Sequence, residues 1–148
     1  MRDPITICPI DLNNDDQVRF VYDCRRHPKV AKHLFRSPPK SYKAHVEYLE
    51  ANISKKIWMY IAKDGAVEVG YCIVSGFQGD EIELGFVVHP DWQGQGFGSE
   101  MVDLLVKQMQ WAYPGKQIHL EVKADNIKAI KMYEKHGFKA RSIRMDFK

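Results

Sequence analysis

The sequence has little that would crosslink the chain or carry it across a membrane. Its 148 residues include three cysteines, Cys8, Cys24 and Cys72, which are single and widely spaced. This pattern excludes a disulfide framework and a CxxC metal or redox site. The longest apolar run, 57–62, is far shorter than the roughly 18–20 residues of a membrane span. The start of the chain lacks the apolar core of a signal peptide, so we expect a cytoplasmic protein with no membrane partner.

The sequence lacks the residue patterns that several kinds of functional site require. The six histidines show no HxxxH or HxH spacing, so no metal site is predicted. No Gly-x-Ser-x-Gly nucleophile elbow is present. A net charge of +3, without a recognised motif or aromatic residues interleaved with the basic ones, does not favour nucleic-acid binding.

What is present is the composition of one globular domain, which we assign to residues 1–148. The chain is 45% apolar and 28% charged, and no linker or repeat divides it. Short runs rich in β-formers first follow one another and then alternate with helical patterns, which predicts a mixed α/β (α+β) sheet with helices on its faces. Strands are predicted at 5–12, 57–62, 69–74, 82–88, 118–122 and 138–147. Helices are predicted after the N-cap cluster 13–16, after Ser41, after the glycines at 94–98 and over 126–135.

A glycine-rich loop lies between the predicted strand 82–88 and the long helix that follows it. Glycines remove Cβ atoms, so backbone N–H groups can approach a ligand closely, and the next helix adds its positive dipole end. Such a loop favours an anion, most naturally a phosphate. No lysine follows Gly98, as a P-loop requires, and Ser99 stands where a dinucleotide fingerprint needs glycine. The loop fits the spacing Q-x-x-G-x-G and consists of Gln93, Gly94, Gln95, Gly96, Phe97, Gly98 and Ser99.

Residues 83–106 resemble the acetyl-CoA-binding motif of the GNAT acyltransferase superfamily, whose pyrophosphate loop follows Q/R-x-x-G-x-G/A. A second match, from Asn126 to Phe138, resembles the family segment N-x-x-A-x-x-x-Y-x-x-x-G-F. The resemblance covers residues 57–148. It implies a central, mostly antiparallel mixed sheet of six to seven strands with helices on both faces. It also implies acetyl-CoA as co-substrate, no metal, and transfer of an acetyl group to a primary amine.

The resemblance also implies roles for single residues. The strand that splays away from its neighbour in this family resembles Phe86, Val87 and Val88, with the Val88 N–H as oxyanion donor. Tyr133 matches the general acid beside the CoA sulfur, and Glu83 matches a glutamate that removes the amine proton in some branches. The remaining cofactor-binding residues implied on the second segment are Asn126 and Ala129.

The acceptor amine has to be inferred from the first third of the chain. Residues 25–30 and 41–46 resemble a pattern in GNAT enzymes that acetylate nucleotide-linked amino-deoxysugars, with Cys24 and Arg26 departing from it. That branch is our first hypothesis for the acceptor. The alternative acceptors are protein or peptide amines, polyamines and antibiotics. A non-enzymatic alternative is a sensor module that binds acyl-CoA without turnover. The protein is also a possible homodimer.

The predicted substrate-binding residues are Arg25, Arg26, His45, Glu81 and His89. The first three would suit a nucleotide diphosphate. The strand period of two puts Glu81 and Glu83 on one face, together with His89 beyond an expected bulge, and His89 is the runner-up base.

Without a suitably placed nucleophile, the mechanism expected is direct transfer in a ternary complex.

Overall fold

A computed structural model describes residues 3–148, which form one sheet with helices on both faces; the first two residues of the predicted domain lie outside this range. The strands are β1 (Thr6–Pro9), β2 (Trp58–Asp64), β3 (Val67–Ser75), β4 (Glu81–Val88) and β5 (Gln117–His119). The helices are α1 (Asp15–Arg26), α2 (Pro28–Ala31), α3 (Tyr42–Ser54), α4 (Phe97–Ala112) and α5 (Ile127–Lys135), and a 3-10 turn spans Pro90–Trp92. Within residues 3–148, no helix is long and apolar enough to cross a bilayer.

The sheet follows chain order, β1-β2-β3-β4-β5. The first four strands pair antiparallel as a meander, and β5 pairs parallel with β4 after the crossover through α4. The mixed α/β class is therefore confirmed. β4 pairs with β3 in unbroken register from Glu83 to Val88, so the expected bulge before His89 is absent there; the irregularity lies between β2 and β3, at Ala62 and Lys63.

The number of strands is corrected from six or seven to five among the described residues. The predicted strand 118–122 shortens to Gln117–His119, and residues 138–147 belong to no strand. Ile143, Met145 and Phe147 alternate as in a strand, but their side chains are exposed. Alternation predicts an extended backbone, whereas a sheet also requires a neighbouring strand, which this segment does not have within residues 3–148.

The two faces of the sheet are covered by different helices. Side chains of α1 and α3, including Val21 and Leu49, pack over Ile61 and Tyr71 on one face. On the other face, α4 packs Phe97, Met101 and Leu105 over the apolar side chains of β3 and β4. The strand period of two therefore sends alternate side chains of β4 to opposite faces.

Helix caps fall where the sequence predicts them. The side chains of Asn14, Ser41 and Asn126 each accept a hydrogen bond from a backbone N–H in the first turn of α1, α3 and α5. Two short elements start with the same device, which the sequence analysis did not predict. His27 and His89, each followed by proline, accept the backbone N–H of Lys29 and Asp91 at Nδ1.

A buried polar pair fastens α1 to α3. His45 is fully buried, and its Nε2–H donates to the Val18 carbonyl at 2.9 Å, while its Nδ1 accepts from the Arg25 guanidinium at 3.0 Å. Arg25 also stacks over the ring of Tyr48 at 4.1 Å. Because both ring nitrogens of His45 have partners only in the neutral form, this contact requires an uncharged imidazole.

This pair predicts acid sensitivity of the fold. Burial lowers the pKa of His45 to about 4, with the Arg25 charge acting in the same direction. The unfolded chain takes up this proton near the ordinary histidine value of 6.5, so the free energy of unfolding should fall by roughly 3 kcal/mol between about pH 6.5 and pH 4. Denaturant titrations of the wild type and of His45→Gln at pH 7 and pH 4.5 measure this contribution. The variant should lose less stability on acidification, and equal losses would contradict the assignment.

Candidate active site

The central feature of the candidate site is a cleft that opens where β4 and β5 part. The two strands pair at only three positions, ending with Glu83 opposite His119. β4 continues to Val88, whereas the chain after His119 leaves strand geometry. We call this opening the β4–β5 cleft. It leaves the edge of β4 from Leu84 to Val88 without a strand on that side, among the described residues.

Backbone groups of β4 point into the β4–β5 cleft. The N–H of His89 donates to the Val69 carbonyl at 2.9 Å, on the β3 side. Because N–H directions alternate along a strand, the N–H groups of Val88 and Phe86 point away from β3, toward the cleft. The side chain of Val87 faces α1 instead.

The glycine loop begins at this strand end and is tied to it. The Gln93 side chain donates to the Val88 carbonyl at 2.9 Å. Gly94 and Gly96 have φ of +80° and +87°, a conformation that favours glycine, and no atom lies within 4 Å of where a Cβ would stand. Phe97, buried at 2% exposure, anchors the loop by its contact with Trp92.

The loop presents backbone donors to solvent. Gly96 begins α4 with no side-chain cap, and within residues 3–148 the N–H groups of Gly96, Gly98 and Ser99 have no acceptor. Unbonded N–H groups at a helix N-terminus form an anion site with the positive end of the helix dipole. The predicted loop residues Gln93–Ser99 therefore lie together at the mouth of the β4–β5 cleft.

Helix α5 closes the other side of the loop. Met132 lies 3.4 Å from the Cβ position of Gly98, and His136 Nε2 is hydrogen-bonded to Ser99 Oγ at 2.7 Å. At the start of α5, the Asn126 side chain accepts the N–H of Ala129 at 3.4 Å. His136 was not predicted, since only the packing of α5 on α4 brings it to the loop.

Tyr133 lies on the α4 side of the cleft. Its ring centroid is 6.2 Å from that of Phe86 on β4 and 5.9 Å from that of Phe138. Burial raises the pKa of Tyr133 to about 12, so the phenol stays protonated at neutral pH. The structure thus brings Tyr133 and the open edge of β4 together.

A group of charged side chains lies at the closed end of the cleft, on the α1–α3 face. His119 Nε2 is 3.3 Å from Glu83 Oε1, and its Nδ1 is 3.7 Å from Glu81 Oε2. Arg141 holds the other Glu81 oxygen at 2.7 Å, and this hydrogen bond lowers the pKa of Glu81. Glu81 and Glu83 do share one face, as the strand period predicts. The place of His119 depends on the β4–β5 register and that of Arg141 on the path of the chain after α5, neither of which the sequence reveals.

The other predicted substrate residues already have partners within the protein. Arg25 and His45 form the buried pair between α1 and α3, and Arg26 donates to the Tyr22 hydroxyl at 2.8 Å on its own helix. His89 caps the turn after β4 and stacks on Phe20, with ring centroids 5.8 Å apart. These contacts give each residue a structural role that needs no substrate, and their part in substrate binding stays a prediction.

Part of the chain is similar in sequence to known acetyltransferases. Two curated relatives are each 34% identical over 53 residues: a probable spermine N(1)-acetyltransferase of Bacillus subtilis subsp. natto and the spermine/spermidine N(1)-acetyltransferase of Bacillus subtilis strain 168. Each alignment covers 36% of this chain and 35% of the relative, so it spans about a third of either protein.

Two solved structures share the fold over most of the chain. A domain from Methanocaldococcus jannaschii is 23% identical with a TM-score of 0.78, covering 91% of this chain and 88% of that one. A spermidine N-acetyltransferase of Vibrio cholerae, solved with CoA and spermine, is 18% identical with a TM-score of 0.81, covering 93% and 82%.

The family follows from the sequence itself. Residues 55–140, more than half of the chain, match the profile of the acetyltransferase (GNAT) domain. The matched segment contains β4, the glycine loop and α5, the elements that surround the β4–β5 cleft. The chain therefore belongs to the GNAT acetyltransferase domain family.

Proposed function

We propose that the protein is an acetyl-CoA-dependent N-acetyltransferase that acts on a small primary amine by direct transfer. One observation carries this proposal. The open edge of β4 leads directly into a loop of unbonded backbone N–H groups, with the protonated phenol of Tyr133 on the same side. A phosphate-bearing thioester and an acid for its leaving group are what such an arrangement suits.

The loop residues fit the pyrophosphate of acetyl-CoA. The N–H groups of Gly96, Gly98 and Ser99 are free to donate, and the space beside Gly94 and Gly96 is open. When bound there, acetyl-CoA would supply an activated acetyl thioester. The Val88 N–H, directed into the β4–β5 cleft, would donate to its carbonyl oxygen as negative charge develops, a contribution of about 3–4 kcal/mol for one such donor.

Two side chains from opposite faces of the sheet would handle the protons. The amine nitrogen attacks the thioester carbon, and the carbon–sulfur bond breaks as the new carbon–nitrogen bond forms. Tyr133 would give its proton to the departing thiolate, and Glu83 would take one from the amine through water. Acid and base on either side of the cleft allow both transfers without a covalent acyl-enzyme.

Among the acceptors considered, a polyamine has the best support. The curated relatives and one structural neighbour are named for spermine or spermidine, and none of these comparisons names a nucleotide-linked sugar. The residues first assigned to a nucleotide diphosphate, Arg25 and His45, are buried against each other. The carboxylate of Glu83, at the opening of the cleft, is suited to an ammonium group instead, whereas Glu81 is paired with Arg141.

The proposed role of the glycine loop in phosphate binding can be tested by placing a negative charge in it. Gly96→Glu should abolish CoA binding in calorimetry, because the carboxylate would repel the pyrophosphate from the α4 N-terminus. Gly96→Ala is the matched control: it introduces the same strain at positive φ without the charge and should retain most of the affinity. Unchanged affinity in Gly96→Glu would refute the loop assignment.

The acid can be tested with a substitution that keeps the ring. Tyr133→Phe should lower kcat by roughly 10²-fold, because a positioned acid commonly contributes about 10²–10⁴-fold. Stability and CoA affinity should stay near wild type, since Phe fills the same space against Phe86 and Phe138. A wild-type kcat in this variant would assign Tyr133 to packing alone.

The acceptor can be identified by measuring free-thiol release with a panel of amines. We expect spermidine and spermine to give the highest kcat/KM, ahead of nucleotide-linked amino-sugars, amino-terminal peptides and aminoglycosides. If only a different amine is turned over, the acceptor assignment would be wrong, whereas the assignment as an N-acetyltransferase would hold. CoA binding with no turnover of any amine would favour the sensor module.

A further inference from the structure

We propose that His119 is a positioning residue that holds the Glu83 carboxylate in the orientation needed to take the amine proton; this rests on the proposed function. The two residues are register partners in the last pair between β4 and β5. Register partners project to the same face, which brings His119 Nε2 to 3.3 Å from Glu83 Oε1. The imidazole therefore lies at the point where the cleft opens.

The contact leaves one oxygen of Glu83 available. A carboxylate accepts hydrogen bonds at both oxygens, so Nε2–H can hold Oε1 while Oε2 faces the acceptor or its water. The Glu83 side chain is 43% exposed, and without a partner it would sample several rotamers. Fixing it matters because a misplacement of about 1 Å at a reacting group can cost about 10²-fold in rate.

The neighbours of His119 support a role directed at Glu83. Within the described residues 3–148 its Nδ1 has no hydrogen-bond partner, and Glu81, at 3.7 Å from this atom, is bound through its other oxygen to Arg141. Because Glu81 is paired with Arg141, its negative charge is partly offset. Among residues 3–148, the hydrogen bond to Glu83 is therefore the one that the His119 side chain makes.

A pair of variants separates positioning from packing. His119→Leu removes the donor, and His119→Gln keeps an N–H close to the place of Nε2. With spermidine, or the best amine of the panel, His119→Leu should lower kcat about 10- to 100-fold and leave the KM for acetyl-CoA within about 2-fold. His119→Gln should recover kcat to within about 3-fold of wild type.

Combination with Glu83→Gln makes the test specific. If His119 acts through Glu83, His119→Leu should cost less than about 2-fold in the Glu83→Gln background, because coupled residues are not additive. An equal loss in both backgrounds, or a wild-type kcat in His119→Leu, would overturn the proposal.

A spectroscopic measurement keeps the inference testable if no amine is turned over, which would be a failure of the proposed function instead. Nitrogen-15 NMR of the His119 ring should show a proton on Nε2, with a chemical shift that moves in Glu83→Gln. A ring signal that Glu83→Gln leaves unchanged would show that the two side chains are not coupled, whatever the enzyme's activity.

Discussion

The parting of β4 from β5 is the constraint on which the rest of the candidate site depends. A parallel pair that ends after three positions exposes a strand edge inside the protein, and exposed N–H groups at such an edge need acceptors. The fold leaves them facing the cleft, beside the phenol of Tyr133. The same parting brings Glu83 and His119 to the closed end of the cleft. Its geometry therefore supplies backbone donors and polar side chains together.

The glycine loop gives this opening the geometry that an anion site requires, since it is anchored at its ends and open in the middle. Gln93 is bound to the Val88 carbonyl, and Phe97 is buried in the core below α4. Between them, Gly94 and Gly96 adopt positive φ and carry no side chain that would cover the N–H groups. A ligand held there would be fixed relative to Val88, which is the proposed oxyanion donor.

Local signals in the sequence were sufficient to predict the loop, the helix caps and the face shared by Glu81 and Glu83. Each depends on spacing along one element, such as the strand period of two or the capping side chain of Asn126. The contacts of His119, Arg141 and His136 depend on how separate elements align, which spacing does not encode. Arg25 and His45 show a related limit: their residue types suit a diphosphate, but spacing along the chain does not reveal that packing pairs them with each other.

The first third of the chain has more lysine and arginine than acidic residues, which by itself does not favour the cationic acceptor proposed above. Four of its arginines, however, lie over tyrosine rings, which hold their guanidinium groups against the protein. The carboxylates of Glu81 and Glu83 lie instead on the sheet, where Glu83 borders the cleft. Counting charges along the sequence therefore does not show which charged side chains border the cleft, and the structure places Glu83 there. The stacked pairs are Arg19 and Tyr42, Arg25 and Tyr48, Arg26 and Tyr22, and Arg36 and Tyr48.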